Sequence, residues 1–173
     1  RKLMNSKKNL VFLGMMGSGK SSIGYLVSKK LNVKFIDIDN LIETEARMSI
    51  SNIFDKKGEE YFRNLEEKIT LKNLKNINNV ISLGGGGFIN DKIRKEVIAN
   101  HLSFWLDWDE SVLLRRIKGS KNRPLVFRST DQEIKKLIKK RSKVYSKAKF
   151  KINCNKLTKT EIVKRIIKIY EPN

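Results

Sequence analysis

Five short apolar runs punctuate the chain: Leu10 to Leu13, Lys34 to Ile38, Val80 to Leu83, Leu102 to Leu106 and Phe150 to Asn153. They alternate little between apolar and polar, which suits strands covered on both faces, and the stretches between them exceed the roughly dozen residues that a parallel crossover needs. Helical spacing fills those stretches. Ile23, Leu26, Val27 and Leu31 form one apolar face, and Ile134, Leu137, Ile138, Val144, Tyr145 and Ala148 form another within a helix predicted from Asp131 to Lys149. Thr158-Lys159-Thr160-Glu161 reads as a capping box that opens the last helix. The pattern predicts an α/β fold with a parallel sheet, and with neither repeat nor linker it predicts one domain over residues 1–173.

Immediately after the first predicted strand stands Gly14-Met15-Met16-Gly17-Ser18-Gly19-Lys20-Ser21, which satisfies G-x-x-x-x-G-K-[ST]. Glycines let consecutive backbone N–H groups approach phosphate oxygens at the start of a helix, where the dipole favours anions. Gly17, Ser18 and Gly19 are expected to cradle a nucleoside triphosphate, Lys20 to reach its β- and γ-phosphates, and Ser21 to ligate Mg²⁺. Strand, motif and helix follow in the required order, so a chance glycine turn is the weaker reading.

The second run, Phe35-Ile36-Asp37-Ile38-Asp39, places two acids at i and i+2. In extended geometry both side chains share one face, opening onto the ligand crevice at the strand's C-terminal end. Such close like charges call for a cation or a proton: a magnesium ion beside Asp37, and an acceptor hydroxyl beside Asp39. The alternative is that Asp39 only caps a helix from Asn40 to Arg47. The third run ends without an acid, in Gly84-Gly85-Gly86-Gly87, so Asp37 is expected to supply the metal contact, through water. The glycines would let a second ligand approach the backbone; a flexible turn is the plainer alternative.

Charged residues also occupy apolar positions. At about 100° per residue, Arg141 falls in the middle of the stripe of its helix, and an inward arginine needs an anion, for which a substrate carboxylate is suited. Snorkelling or an internal ion pair would also account for it. Phe62, Leu65 and Ile69 mark the stripe of an earlier helix, with Glu66 on it and Arg63 beside it; Glu66 is expected to fix Arg63 for ligand binding. Arg115 to Pro124 reads as a basic loop between two helices, able to close over phosphates as a lid spanning about 115–128.

Composition narrows the choice of partners. Among 173 residues, 38 Lys and Arg face 18 Asp and Glu, giving a formal charge of +20. The lysines are scattered and aromatics make up only 8%, so no aromatic-plus-basic RNA-binding signature emerges, and the same field attracts small acidic substrates. Neither a membrane span nor a signal-peptide core is expected, because the basic start is followed by only the four apolar residues Leu10 to Leu13. A lone cysteine, Cys154, excludes an intrachain disulfide and suits a reducing cytoplasm.

Taken together, GMMGSGKSSIG, FIDID, SISNIFDKKGEEYFRNLEE, SLGGGG, Arg123-Pro124 and KRSKVY around Arg141 resemble the shikimate kinase family from Asn9 to Tyr170. The resemblance implies a three-layer P-loop fold of the adenylate-kinase type, with a five-stranded parallel sheet in the order 2-3-1-4-5. It also implies transfer of the ATP γ-phosphoryl group to the 3-hydroxyl of shikimate; ATP and Mg²⁺ are the expected cofactors, and the chain is expected to act as a monomer that binds neither nucleic acid nor membrane. Carried over by residue, it gives Asp39, Arg63, Gly85 and Arg141 as substrate contacts, to which the residues themselves add Glu66, Gly84 and Gly86 as expected neighbours of the substrate, with a substrate-binding helical segment of about 39–67. Arg63 and Arg141 take the carboxylate, and Asp39 takes ring hydroxyls and orients or deprotonates the acceptor. Lys20 and Arg123 stabilise the transferring phosphoryl group, and Arg116 flanks adenine. The loop 153–157 lacks the acidic residues often found there in the family. Gluconate or nucleoside monophosphate kinases are the nearest rivals, and a basic nucleic-acid-binding ATPase is the rival of a different class.

Overall fold

The computed structural model describes residues 8–120 and 129–171. Its strands are β1 (Leu10–Leu13), β2 (Lys34–Asp37), β3 (Asn79–Ser82), β4 (Leu102–Asp107) and β5 (Phe150–Asn153). All pair in parallel as one sheet in the order β2-β3-β1-β4-β5, as the resemblance implied. The helices are α1 (Lys20–Leu31), α2 (Ile38–Ala46), α3 (Ile50–Lys57), α4 (Glu59–Leu74), α5 (Asp91–Asn100), α6 (Glu110–Lys118), α7 (Asp131–Tyr145) and α8 (Lys159–Tyr170).

The period of two in each strand sorts its side chains between two cores. Leu10 and Phe12 of β1 join Phe104, Leu106 and Ile152 beneath α1 and α8, where Ile23, Val27, Ile162 and Ile166 cover them. Val11 and Leu13 point the other way, into a cluster with Ile81, Leu83 and Trp105 that α2 to α7 cover. Helices on both faces leave the C-terminal edge of the sheet open. The register aligns Asp37 with Ser82 and Asp107 with Asn153, so the loops after the strands gather along that edge. The chain leaves β1 and β3 in opposite directions, and the crevice between them is where such sheets bind ligands.

β3 begins and ends one residue earlier than expected and β4 ends one later, and three larger differences bear on the site. β2 stops at Asp37 because its carboxylate accepts the Asn40 N–H at 3.2 Å and caps α2, which therefore begins at Ile38. Asp39 thus lies in the first helical turn, not at a strand end and not at the cap. Arg115, Arg116 and Lys118 form the last turn of α6 rather than a loop, where cations complement the helix dipole. α7 ends at Tyr145, since Lys149 must already turn to bond the Ser103 hydroxyl and enter β5. At α8, Thr158 accepts the Glu161 N–H, half of the expected capping box; the complete box stands at α7, between Thr130 and Glu133. Among the described residues no helix is long and apolar enough to cross a membrane.

Candidate active site

The loop between β1 and α1 forms one wall of a cleft of about 540 Å³, lined by Gly17, Gly19, Lys20 and Ser21. Gly19 caps α1 with φ 90°, a conformation that a residue bearing a Cβ resists. Lys20 is buried, and its ammonium donates to the carbonyls of Gly14 at 2.8 Å and Met15 at 2.9 Å, which holds it along the loop. The Ser21 hydroxyl donates to Asp37 at 2.5 Å, so the cap of α2 and the first turn of α1 meet at the cleft mouth.

The opposite wall comes from α3, α4, the loop after β3, and α7. Ile50, Phe54 and Phe62 make it apolar, while Arg63, Glu66 and Arg141 bring charge into it. Glu66 is 2% exposed and accepts from Arg63 Nη1 at 2.9 Å; Arg63 also pairs with Glu59 at 3.6 Å. Burial pushes the Glu66 carboxyl above its ordinary range, against the pull of Arg63 and Arg141. Arg141, on the buried stripe of α7 with Ile134, Ile138 and Tyr145, is 6% exposed. Its Nη1 makes no hydrogen bond among the described residues, a buried cationic donor that awaits an acceptor.

Three glycines let these groups converge. A Cβ on Gly84 would meet Asp39 and Glu66, one on Gly85 would lie 3.3 Å from Arg141, and one on Gly86 would sit inside the Arg63 guanidinium. The run after β3 is therefore the floor on which the charged side chains rest, a more definite role than the exposed backbone expected from sequence.

Asp39 lies between the two walls. Its carboxyl is pushed up to about 6, first by burial and then by Asp37, Glu66 and Glu43, with Lys20 opposing. Like charges are thus close, as the two acids suggested, though the helical turn rather than strand alternation brings them together.

A model of the family described as shikimate kinase matches residues 16–171. The chain belongs to the shikimate kinase family. A shikimate kinase of Thermodesulfovibrio yellowstonii is 41% identical over 165 residues, covering 95% of both chains. Among solved structures, a shikimate kinase of Aquifex aeolicus superposes with TM-score 0.83 at 39% identity, covering 92% of this chain and 94% of that one. One from Acinetobacter baumannii, in complex with shikimate, gives TM-score 0.89 at 26% identity, covering 95% and 93%.

Against this shikimate kinase fold, the structure gathers Lys20, Ser21, Asp39, Arg63, Glu66, Gly85, Gly86 and Arg141 around one cleft, with Gly84 directly beneath. Arg123 and most of the expected lid, residues 121–128, lie outside the described residues. Arg116 sits at the back of the phosphate loop, its Nη1 donating to the Gly17 carbonyl at 3.1 Å. Two residues escaped the sequence reading. Tyr145, counted only as apolar, donates its hydroxyl to the Gly85 carbonyl at 2.5 Å and so ties α7 to the glycine floor. Trp108, just past β4, donates its indole N–H to the Ser18 carbonyl at 2.8 Å. The one available signal was an indole at the C-terminal edge of a strand, where loops carry ligand chemistry.

Proposed function

We propose that this chain transfers the γ-phosphoryl group of ATP to the 3-hydroxyl of shikimate, giving shikimate 3-phosphate and ADP. The observation that carries the reading is one cleft with unlike walls: a phosphate-binding loop with Lys20 faces a buried, unpaired Arg141 Nη1, and an acid held near neutrality stands between them. A cyclic acid acceptor suits the second wall, with Arg141 and Arg63 gripping its carboxylate and the rings of Phe54 and Phe62 beside it.

In the reaction, the Asp39 carboxylate accepts the acceptor's hydroxyl proton as the new oxygen–phosphorus bond forms and the bond to ADP breaks. A carboxyl at about 6 is largely ionised at neutral pH yet basic enough to take that proton. Lys20 balances the charge on the phosphoryl oxygens, and the loop amides hold the donor in place, positioning being the main source of rate in phosphoryl transfer. The family resemblance adds Arg123 to the same charge and Arg116 beside the adenine.

Ser21 and Asp37 present oxygen donors together at the cleft mouth, a fit for Mg²⁺. Among the described residues no set of three or more His, Cys, Asp or Glu side chains could hold a metal, so Ser21 and Asp37 are the residues that would hold the ion. When bound, it would neutralise phosphate charge. The lone cysteine supports a reducing cytoplasm, and the scattered lysines support action on small molecules rather than nucleic acid. A coupled ADP-release assay with shikimate, gluconate and CMP in parallel tests the reading: turnover with shikimate alone is expected, and preference for either other acceptor overturns it.

A further inference from the structure

The back of the phosphate loop is held by two side chains from beyond the loop itself. Trp108 lies between the two hydrophobic cores and donates its indole N–H to the carbonyl of Ser18, a residue with no solvent exposure. Arg116, one helical segment later, donates to the neighbouring Gly17 carbonyl at 3.1 Å and lies over the Trp108 ring, 4.1 Å from its centroid. The turn that carries Trp108 is itself fixed. Asn155, after β5, accepts the Asp109 N–H at 2.9 Å and donates to the Asp109 carboxylate at 3.0 Å.

A trans peptide is planar, so its N–H points opposite to its carbonyl. Drawing the Ser18 carbonyl to Trp108 therefore turns the Gly19 N–H away from Trp108, and Gly19 lines the cleft. Gly19 has φ 90°, and with no Cβ its φ is little restricted by sterics, so an outside hydrogen bond on this peptide fixes an orientation that the residue itself leaves open. A buried carbonyl that loses its donor would also seek another orientation.

We propose that Trp108 is a positioning residue of the donor site, which locks the Ser18–Gly19 peptide so that the Gly19 amide is aimed at a bound triphosphate and which seats Arg116 on the same loop. The inference rests on the reading of this loop as the ATP site.

Trp108→Phe keeps a six-membered ring for Arg116 but removes the N–H together with the volume of the pyrrole ring. Titration calorimetry of the full chain with ATP, inorganic tripolyphosphate and shikimate, beside a thermal melt, tests it. The expected result is that ATP and tripolyphosphate both weaken about three- to tenfold, the scale of one lost hydrogen bond, while shikimate affinity holds and the melting temperature falls only modestly, as a smaller ring requires. Unchanged tripolyphosphate binding overturns the proposal, and so does a joint loss of all three ligands and of stability, which marks a structural role. If the wild type binds neither ATP nor tripolyphosphate, the underlying reading falls first. Should Trp108→Phe fail to fold, Trp105→Phe leaves Trp108 as the sole tryptophan: its emission should respond to tripolyphosphate, and silence overturns the proposal.

Discussion

Asp39 Oδ1 and Glu66 Oε2 converge over Gly84, where a Cβ would lie 2.7 Å from the first and 2.9 Å from the second. The two carboxylates belong to different helices, and only an absent side chain lets both reach the cleft. Gly84→Ala is expected to push them apart at an overpacking cost of about 1–3 kcal/mol, seen as a lower melting temperature and a raised shikimate KM. Gly87→Ala, whose Cβ would meet Leu83 at an ordinary 3.4 Å, is expected to melt and turn over like the wild type.

Asp39→Asn keeps shape and removes the base. Turnover is expected to fall at least ~100-fold, the scale of a lost general base, with ATP affinity nearly intact in equilibrium titration. Near-normal turnover would remove Asp39 from its role.

The pH dependence follows from the same carboxyl, raised from 3.8 to about 6. Activity is expected to rise with pH through about 6 as Asp39 ionises. Stability runs the other way, because between 3.8 and about 6 the folded chain holds this proton more tightly than the unfolded chain. Asp39's contribution is therefore full below 3.8 and lost as pH rises through about 6. In Asp39→Asn the rate trend should vanish, and the stability trend should shrink to what the raised Glu66 carboxyl contributes, in a rate profile and in melts across that window.

Arg141→Lys replaces a planar fork by a point charge at a buried site. The expected effect is a shikimate KM raised about tenfold or more, the scale of a charged hydrogen bond, with kcat changed less. A fall in melting temperature with KM unchanged would assign Arg141 to structure alone.

At the other end of the sheet, His101 Nδ1 accepts the Asn9 N–H at 3.2 Å while Nε2 lies 3.4 Å from Glu96. Burial lowers the His101 pKa from 6.5, against the pull of Glu96. Its contribution to stability is thus present above 6.5 and lost as pH falls below it. His101→Gln retains an acceptor that does not titrate, so its melting temperature should fall less than that of the wild type between pH 7 and 5.

Elements that repeat a period, and chemistry that depends on contiguous residues, can be read from the order of residues alone. The central strands β1, β3 and β4, the phosphate loop from Gly14 to Ser21 and the inward place of Arg141 are all local patterns, because strand and helix periods decide facing without reference to the rest of the chain. The Arg63–Glu66 pair was legible for the same reason, since residues three apart on a helix are neighbours. By contrast β2 and β5, expected to be covered on both faces, keep exposed residues because they lie at the sheet edges. Tertiary structure decided what depends on distant residues meeting. Asp37 became a helix cap, so Asp39 was turned by a helical step that extended geometry could not give. The carboxyl of Asp39 rose chiefly because the fold buries it, with Glu66 of α4 adding its charge from another helix. Trp108 reached Ser18 across 90 positions and Tyr145 reached Gly85 across 60. No periodicity encodes such contacts; they exist only once the sheet order places the ends of β1, β3 and β4 along one edge.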